Sequence, residues 1–194
     1  ATQGYLVVCV DGRGTGFRGK KFASVVYKNL GKYETEDQIA AARYVASLPY
    51  VDASKIGIFG WSFGGYETLM AMTAPGNPYA AGIAVAPVTD WRLYDSVYTE
   101  RFMLTPQQNS VGYDASSTLG RIKNLKGNLL IVSGTADDNV HIANTFEFVS
   151  EATSQNKILD MMVYPNKNHF INGCETRLAL YTKLLDYFNR NLKK

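Results

Sequence analysis

Gly60-Trp61-Ser62-Phe63-Gly64 sets a serine between two glycines, with an apolar run before it and a helix-forming run after it. A G-x-S-x-G between a strand and a helix is a nucleophile elbow, whose sharp turn leaves little room for Cβ atoms beside the serine. The turn holds the serine in a strained conformation with its hydroxyl thrust out at the strand's end. The helix that follows points its positive end at the same spot, which leaves the amide of Phe63 free to donate to a developing oxyanion. A serine hydroxyl is a weak nucleophile by itself and needs a histidine base held by a carboxylate. The chain has only two histidines. His169 lies late, in the loop Pro165-Asn166-Lys167-Asn168-His169, and suits the chain order serine, acid, histidine. His141 comes too early and reads as a surface or capping residue. The acid must stand between Ser62 and His169 at the end of a strand, and Gly134-Thr135-Ala136-Asp137-Asp138-Asn139 meets that condition. Two adjacent aspartates compete there; Asp138 suits a cap for the helix beginning at His141, with Asp137 facing the site.

These residues need elements to hold them. Tyr5 to Val10 is a continuous apolar, β-branched run, the pattern of a parallel strand buried on both faces. Cys9 within it reads as a small buried hydrophobe. The glycines of Asp11-Gly12-Arg13-Gly14-Thr15-Gly16 lack the spacing of a dinucleotide fingerprint. Thr35 to Gln38 forms a capping box for a helix reaching about Leu48. Further strands are expected at 55–60, 81–86, 129–133 and 160–164, and further helices at 63–73 and 141–155. In the closing helix Leu178, Tyr181, Leu185, Phe188 and Leu192 recur at steps of three and four, which predicts one face packed on the sheet. Alternating strands and helices give an α/β sandwich with a mainly parallel sheet, here the α/β-hydrolase fold that the elbow belongs to. Residues 1–194 read as one domain, with an irregular excursion from Trp91 to Lys126 where binding residues are expected.

Composition sets the outer bounds. Hydrophobic residues make up 46% and charged residues 19% of the chain, and the formal charge is +3. Lysines and arginines are scattered rather than striped, so no nucleic-acid partner is expected. Cys9 and Cys174 make neither a disulfide framework nor a metal-ligand spacing, and no cofactor or metal is expected. The chain opens at Ala1 and reaches apolar residues by Tyr5, which reads as a piece cut from a longer protein.

Several stretches together resemble the dipeptidyl peptidase IV-type enzymes of the prolyl oligopeptidase family. They are Asp11-Gly-Arg-Gly-Thr-Gly16, Gly60-Trp-Ser-Phe-Gly-Gly-Tyr66, Ala84-Val-Ala-Pro-Val88, Tyr94-Asp-Ser-Val-Tyr-Thr-Glu-Arg101 and Gly134-Thr-Ala-Asp-Asp-Asn-Val-His141. The resemblance runs from Tyr5 to the end. It implies that Asp137 is the triad acid beside Ser62 and His169. It also implies that Phe63, Val88, Trp91, Tyr94, Tyr98 and Val140 line a pocket for a penultimate proline, with Asn139 holding the substrate's carbonyl. An aromatic cage suits a compact apolar ring that offers no N–H. Read without the resemblance, Tyr94 and Tyr98 are four apart and could be one helix face in the core. The implied activity is release of X-Pro or X-Ala dipeptides from peptide N-termini. The implied partner is a second copy in the parent protein, and the implied setting is the periplasm, a membrane surface or the outside of the cell. An endo-acting prolyl oligopeptidase, an acylaminoacyl peptidase, an esterase or a non-enzymatic interaction module are the rival readings.

Departures from the family's pattern matter as much. Only two strands are expected before Ser62 where the hydrolase fold has five. The first strands are therefore expected to be missing, along with the loop that carries a tyrosine hydroxyl as second oxyanion donor. The β-propeller, with the acidic pair that grips the substrate's amino group, is expected to be missing too. If 5–10 and 55–60 are the fourth and fifth strands, the one that joins them is absent. That predicts no ladder between these two segments and a gap of about 9–10 Å, to be filled by another segment or a second copy.

Overall fold

The computed structural model describes residues 1–193. Its sheet has four parallel strands in the order β1 (Gly57–Trp61), β2 (Ala81–Val85), β3 (Asn128–Gly134) and β4 (Asp160–Tyr164). Before β1 come α1 (Lys20–Ser24) and α2 (Lys32–Ala46); α3 (Phe63–Met72), α4 (Ser96–Met103), α5 (Ser110–Ser116) and α6 (Ala143–Ser154) lie between the strands, and α7 (Cys174–Leu192) follows β4. Short 3-10 turns at Trp91–Leu93 and Leu119–Asn124 complete the excursion after β2. β2 is buried at every residue, as its unbroken apolar run Ala81-Gly82-Ile83-Ala84-Val85 requires of a strand covered on both faces. Side chains alternate across the sheet. Leu129 and Ile131 of β3 join Leu69, Met72 and Phe148 of α3 and α6 on one face. Leu130 and Val132 join Leu180, Leu184 and Tyr187 of α7 on the other.

Four expectations are corrected. Residues 5–10 form no strand: Leu6 is 56% and Val7 72% exposed, and Cys9 is exposed as well. A strand exists only where a neighbour completes its ladder, and nothing pairs with this run among the described residues. It is held at its ends instead, where Tyr5 Oη donates to Asn189 Oδ1 at 3.0 Å and Gln38 Nε2 donates to the Val10 carbonyl at 3.2 Å. The expectation of no ladder between 5–10 and β1 holds, and among the described residues β1 pairs only with β2.

The helix expected from Thr35 starts a turn earlier, at Lys32, behind Gly31 with φ 82°. A side chain at Gly31 would collide with the Tyr66 hydroxyl, which lies 3.1 Å from the Leu30 carbonyl and 2.9 Å from that of Ser116. Thr35 is therefore an interior helical residue whose hydroxyl donates back to Gly31 O at 2.5 Å, not a cap. The last correction concerns α7. Phe188 and Leu192 pack inward as expected, but Leu178, Tyr181 and Leu185 are exposed at 66%, 50% and 37%. The helix carries two adjacent apolar stripes with the same period. Leu180, Leu184 and Tyr187 make up the one turned to the sheet.

Candidate active site

Chain direction and sheet order bring the chemistry-bearing loops to one edge. Ser62 follows β1, the acid loop follows β3 and the histidine loop follows β4, so all three leave the carboxyl ends of parallel strands. Ser62 has φ 59° and ψ −117°, the strained geometry of an elbow, and its amide donates to Val85 O at 2.8 Å. A Cβ on Gly60 would run into the backbone of Gly64, which accounts for the first glycine. The second is not crowded. No atom stands near a Cβ built on Gly64; the tight position is the next one, Gly65, against Val85 O at 2.8 Å. Phe63 is the first residue of α3, so its amide has no carbonyl of its own helix to meet.

The two aspartates are told apart by burial and contact. Asp137 is 5% exposed and its Oδ2 lies 2.8 Å from Nδ1 of His169, itself 4% exposed. Its Oδ1 accepts from the amides of Asn139 at 2.9 Å and Val140 at 2.8 Å. Asp137 thus makes the loop turn that was expected of Asp138, which is exposed. His141 is also exposed, and its Nδ1 accepts from the Ala143 amide at 3.2 Å at the head of α6. The histidine loop is stitched to the acid loop by backbone. Lys167 O accepts from Ala136 N and Tyr164 O from Thr135 N, both at 3.0 Å. A Cβ on Gly134 would strike Lys167 O, so the two loops touch only because that residue is glycine. Trp61 Nε1 donates to His169 O at 3.0 Å and ties the elbow to the histidine loop. The Asp137–His169 half of the expected triad is thus hydrogen-bonded. Ser62 Oγ makes no hydrogen bond to His169 among the described residues; such contacts are often open before substrate binds.

The aromatic residues of the excursion converge beside the elbow. Trp91 is 1% exposed, with ring centroids 5.7 Å from Phe63, 4.9 Å from Tyr66, and 5.9 Å from both Tyr94 and Tyr98. Tyr94 and Tyr98 are not one helix face. Tyr94 ends the first 3-10 turn, Tyr98 lies in α4, and their rings meet edge to face at 5.4 Å. Val88 and Val140, 2% and 3% exposed, back this cluster from behind. Tyr94 Oη donates to Asn139 Oδ1 at 2.6 Å and joins the cage to the acid loop. A cleft of about 370 Å³ opens between the two loops, lined by Asp95, Asp138, Asn139, Asn168, His169 and Phe170.

A model of the prolyl oligopeptidase family matches residues 1–194. The chain belongs to that family. It is 48% identical over 191 residues to a probable dipeptidyl-aminopeptidase B of Ajellomyces capsulatus, covering 96% of this chain and 21% of the relative. It is 46% identical over 189 residues to dipeptidyl aminopeptidase B of Saccharomyces cerevisiae, covering 95% of this chain and 23% of the relative. Among solved structures it superposes on dipeptidyl peptidase 4 of Porphyromonas gingivalis with a TM-score of 0.93 and 55% identity, covering 95% of this chain and 26% of that one. A putative dipeptidyl aminopeptidase IV of Bacteroides ovatus gives 0.90 and 36%, covering 94% and 26%. The chain therefore spans about a fifth to a quarter of the length of these relatives.

Within this member of the prolyl oligopeptidase family, sequence reasoning missed several residues that shape the site. Trp61 had a signal, since it sits inside the elbow motif, but nothing local shows that its indole would reach His169. Asn168 and Phe170 flank His169 and line the cleft. Asn144, discussed below, carries no motif at all.

Proposed function

We propose that this domain performs acyl transfer as part of a serine exopeptidase that releases dipeptides from peptide N-termini. Ser62 Oγ attacks the scissile carbonyl carbon while His169 Nε2 takes its proton. Asp137 holds the ring with Nδ1–H toward itself and steadies the imidazolium. The Phe63 amide, at the positive end of α3, donates to the oxyanion. His169 then returns the proton to the leaving amine, and water hydrolyses the ester on Ser62 by the same route in reverse. The observation that carries this reading is the buried 2.8 Å contact between Asp137 and His169 at the carboxyl ends of adjacent strands, beside an elbow serine at φ 59°.

The cage is read as the receptor for the residue before the scissile bond. Phe63, Trp91, Tyr94 and Tyr98, backed by Val88 and Val140, suit a proline ring and tolerate alanine. Asn139, whose side-chain oxygen accepts from Tyr94, is read as donating its amide to a substrate carbonyl. The partner is then a peptide with penultimate Pro or Ala, and the full protein acts as a homodimer.

Ser62 should be labelled by a fluorophosphonate, and the protein should cleave a Gly-Pro chromogenic amide in preference to a short acyl ester. Labelling that persists in Ser62→Ala, or none in the wild type, would remove Ser62 as nucleophile. Ester turnover without amide turnover would favour an esterase.

A further inference from the structure

Asn144, the second residue of α6, is 1% exposed and its carboxamide is fully used. Oδ1 accepts from the Thr89 amide at 2.9 Å, while Nδ2 donates to Leu93 O and His141 O, both at 3.2 Å. The Asn144 backbone carbonyl accepts from Thr89 Oγ1 at 2.8 Å. These anchor points have a pattern. Thr89 stands two residues before Trp91 and Leu93 two residues after it, so one buried side chain brackets the centre of the cage. The third anchor, His141, closes the loop that begins at Asp137. Thr89 is fixed from its other side too, since Thr118 donates to its carbonyl through both N and Oγ1 at 2.9 Å.

The cage moves as a unit if Trp91 moves, because four aromatic rings stand within 5.9 Å of it. Tyr94 and Asn139 join cage and acid loop at the exposed rim; Asn144 joins them from inside. Few side chains can replace it. Leucine fills similar volume but takes the side-chain partner from the Thr89 amide and the Leu93 carbonyl, while His141 O keeps only the Asn144 backbone amide at 3.0 Å. Aspartate keeps the bond to Thr89 and turns a second oxygen against two carbonyl oxygens.

We propose that Asn144 is a positioning residue that sets where the aromatic cage stands relative to the Asp137 loop, and so how the residue before the scissile bond is held. The proposal rests on the reading of the cage given above. It makes Asn144 a determinant of substrate selectivity that never touches substrate.

The test compares Asn144→Asp and Asn144→Leu with Leu184→Ala, a core truncation on the opposite face of the sheet. Two probes of Ser62 are used: an Xaa-Pro diphenyl phosphonate, which needs the cage, and a small alkyl fluorophosphonate, which does not. In Asn144→Asp, labelling by the proline probe should fall about tenfold more than labelling by the alkyl probe, the scale of an altered apolar pocket. Leu184→Ala should show no such split. A second readout needs no activity. With 5-fluorotryptophan at the chain's two tryptophans, the Trp91 fluorine resonance should shift in both Asn144 variants and stay put in Leu184→Ala. An unmoved Trp91 signal, or equal losses with both probes, overturns the proposal. If the wild type takes neither probe, the functional reading fails and the fluorine comparison alone decides whether Asn144 positions the cage.

Discussion

Replacing Asp137 by asparagine tests the proposed mechanism most sharply, because the surrounding bonds dictate how the new side chain must sit. Oδ1 accepts two backbone amides, from Asn139 and Val140, at 2.9 and 2.8 Å. An asparagine that kept its oxygen there would turn its NH2 toward His169 Nδ1, where the carboxylate oxygen now stands at 2.8 Å. The flipped alternative would set NH2 against two N–H groups and forfeit two hydrogen bonds worth about 1 kcal/mol each, before any repulsion. A loss of about 2–3 kcal/mol keeps the flipped form to a few per cent or less. The dominant rotamer donates to Nδ1, so His169 must carry its proton on Nε2. That tautomer cannot take a proton from Ser62. The equivalent change in a serine protease triad lowers kcat about 10⁴-fold, and a loss of the same order is expected here in fluorophosphonate labelling of Ser62. Near-normal unfolding temperature should accompany it, since shape and both amide contacts survive. A loss below about tenfold with the fold intact would refute the idea that Asp137 sets the tautomer of His169. A comparable loss in Asp138→Asn would mean that the wrong aspartate had been chosen.

Three further outcomes are expected. Gly60→Ala should destabilise the chain by on the order of 3 kcal/mol or more and abolish labelling, because its Cβ would meet backbone rather than a side chain that can swing away; thermal unfolding checks it. Burial pushes the Glu34 carboxyl from 4.5 up to about 7, with nearby Asp37 adding to the effect, so holding it charged opposes folding. That penalty is absent below pH 4.5, grows as the pH rises, and is complete above pH 7. Glu34→Gln should therefore stabilise by on the order of 2–3 kcal/mol at pH 8 and by almost nothing at pH 4, and equal effects in denaturant titrations at both pH values would contradict it. Finally, the edge of β1 that carries no strand among the described residues, with Phe59 48% exposed, and the exposed run at Leu6 and Val7 should drive self-association of this chain. Phe59→Lys and Val7→Lys should each reduce it in sedimentation velocity, and an unchanged profile would show that these surfaces are not sticky.

What the sequence settled by itself is local. The elbow is readable because its chemistry lies within a few consecutive residues and its neighbours set its conformation: Gly60 for the close approach, α3 for the free Phe63 amide. The acid and histidine loops are readable because parallel strands must deliver their following loops to one edge. Whatever depends on a distant partner is not written locally. Residues 5–10 have the composition of a buried strand, yet strand formation is a property of a pair, and this run has no pair among the described residues. The closing helix has two apolar stripes of one period, and only the sheet it packs against selects Leu180, Leu184 and Tyr187. Asp137 and Asp138 differ by nothing but a half-turn of backbone. Which of them is buried against His169 was decided where the loops after β3 and β4 meet, across the contact that Gly134 leaves open. Asn144 is the extreme case: an ordinary helical asparagine in sequence, it has one local anchor in His141 and gains Thr89 and Leu93 only when the segment after β2 packs against the head of α6, because a buried carboxamide is satisfied largely by tertiary neighbours.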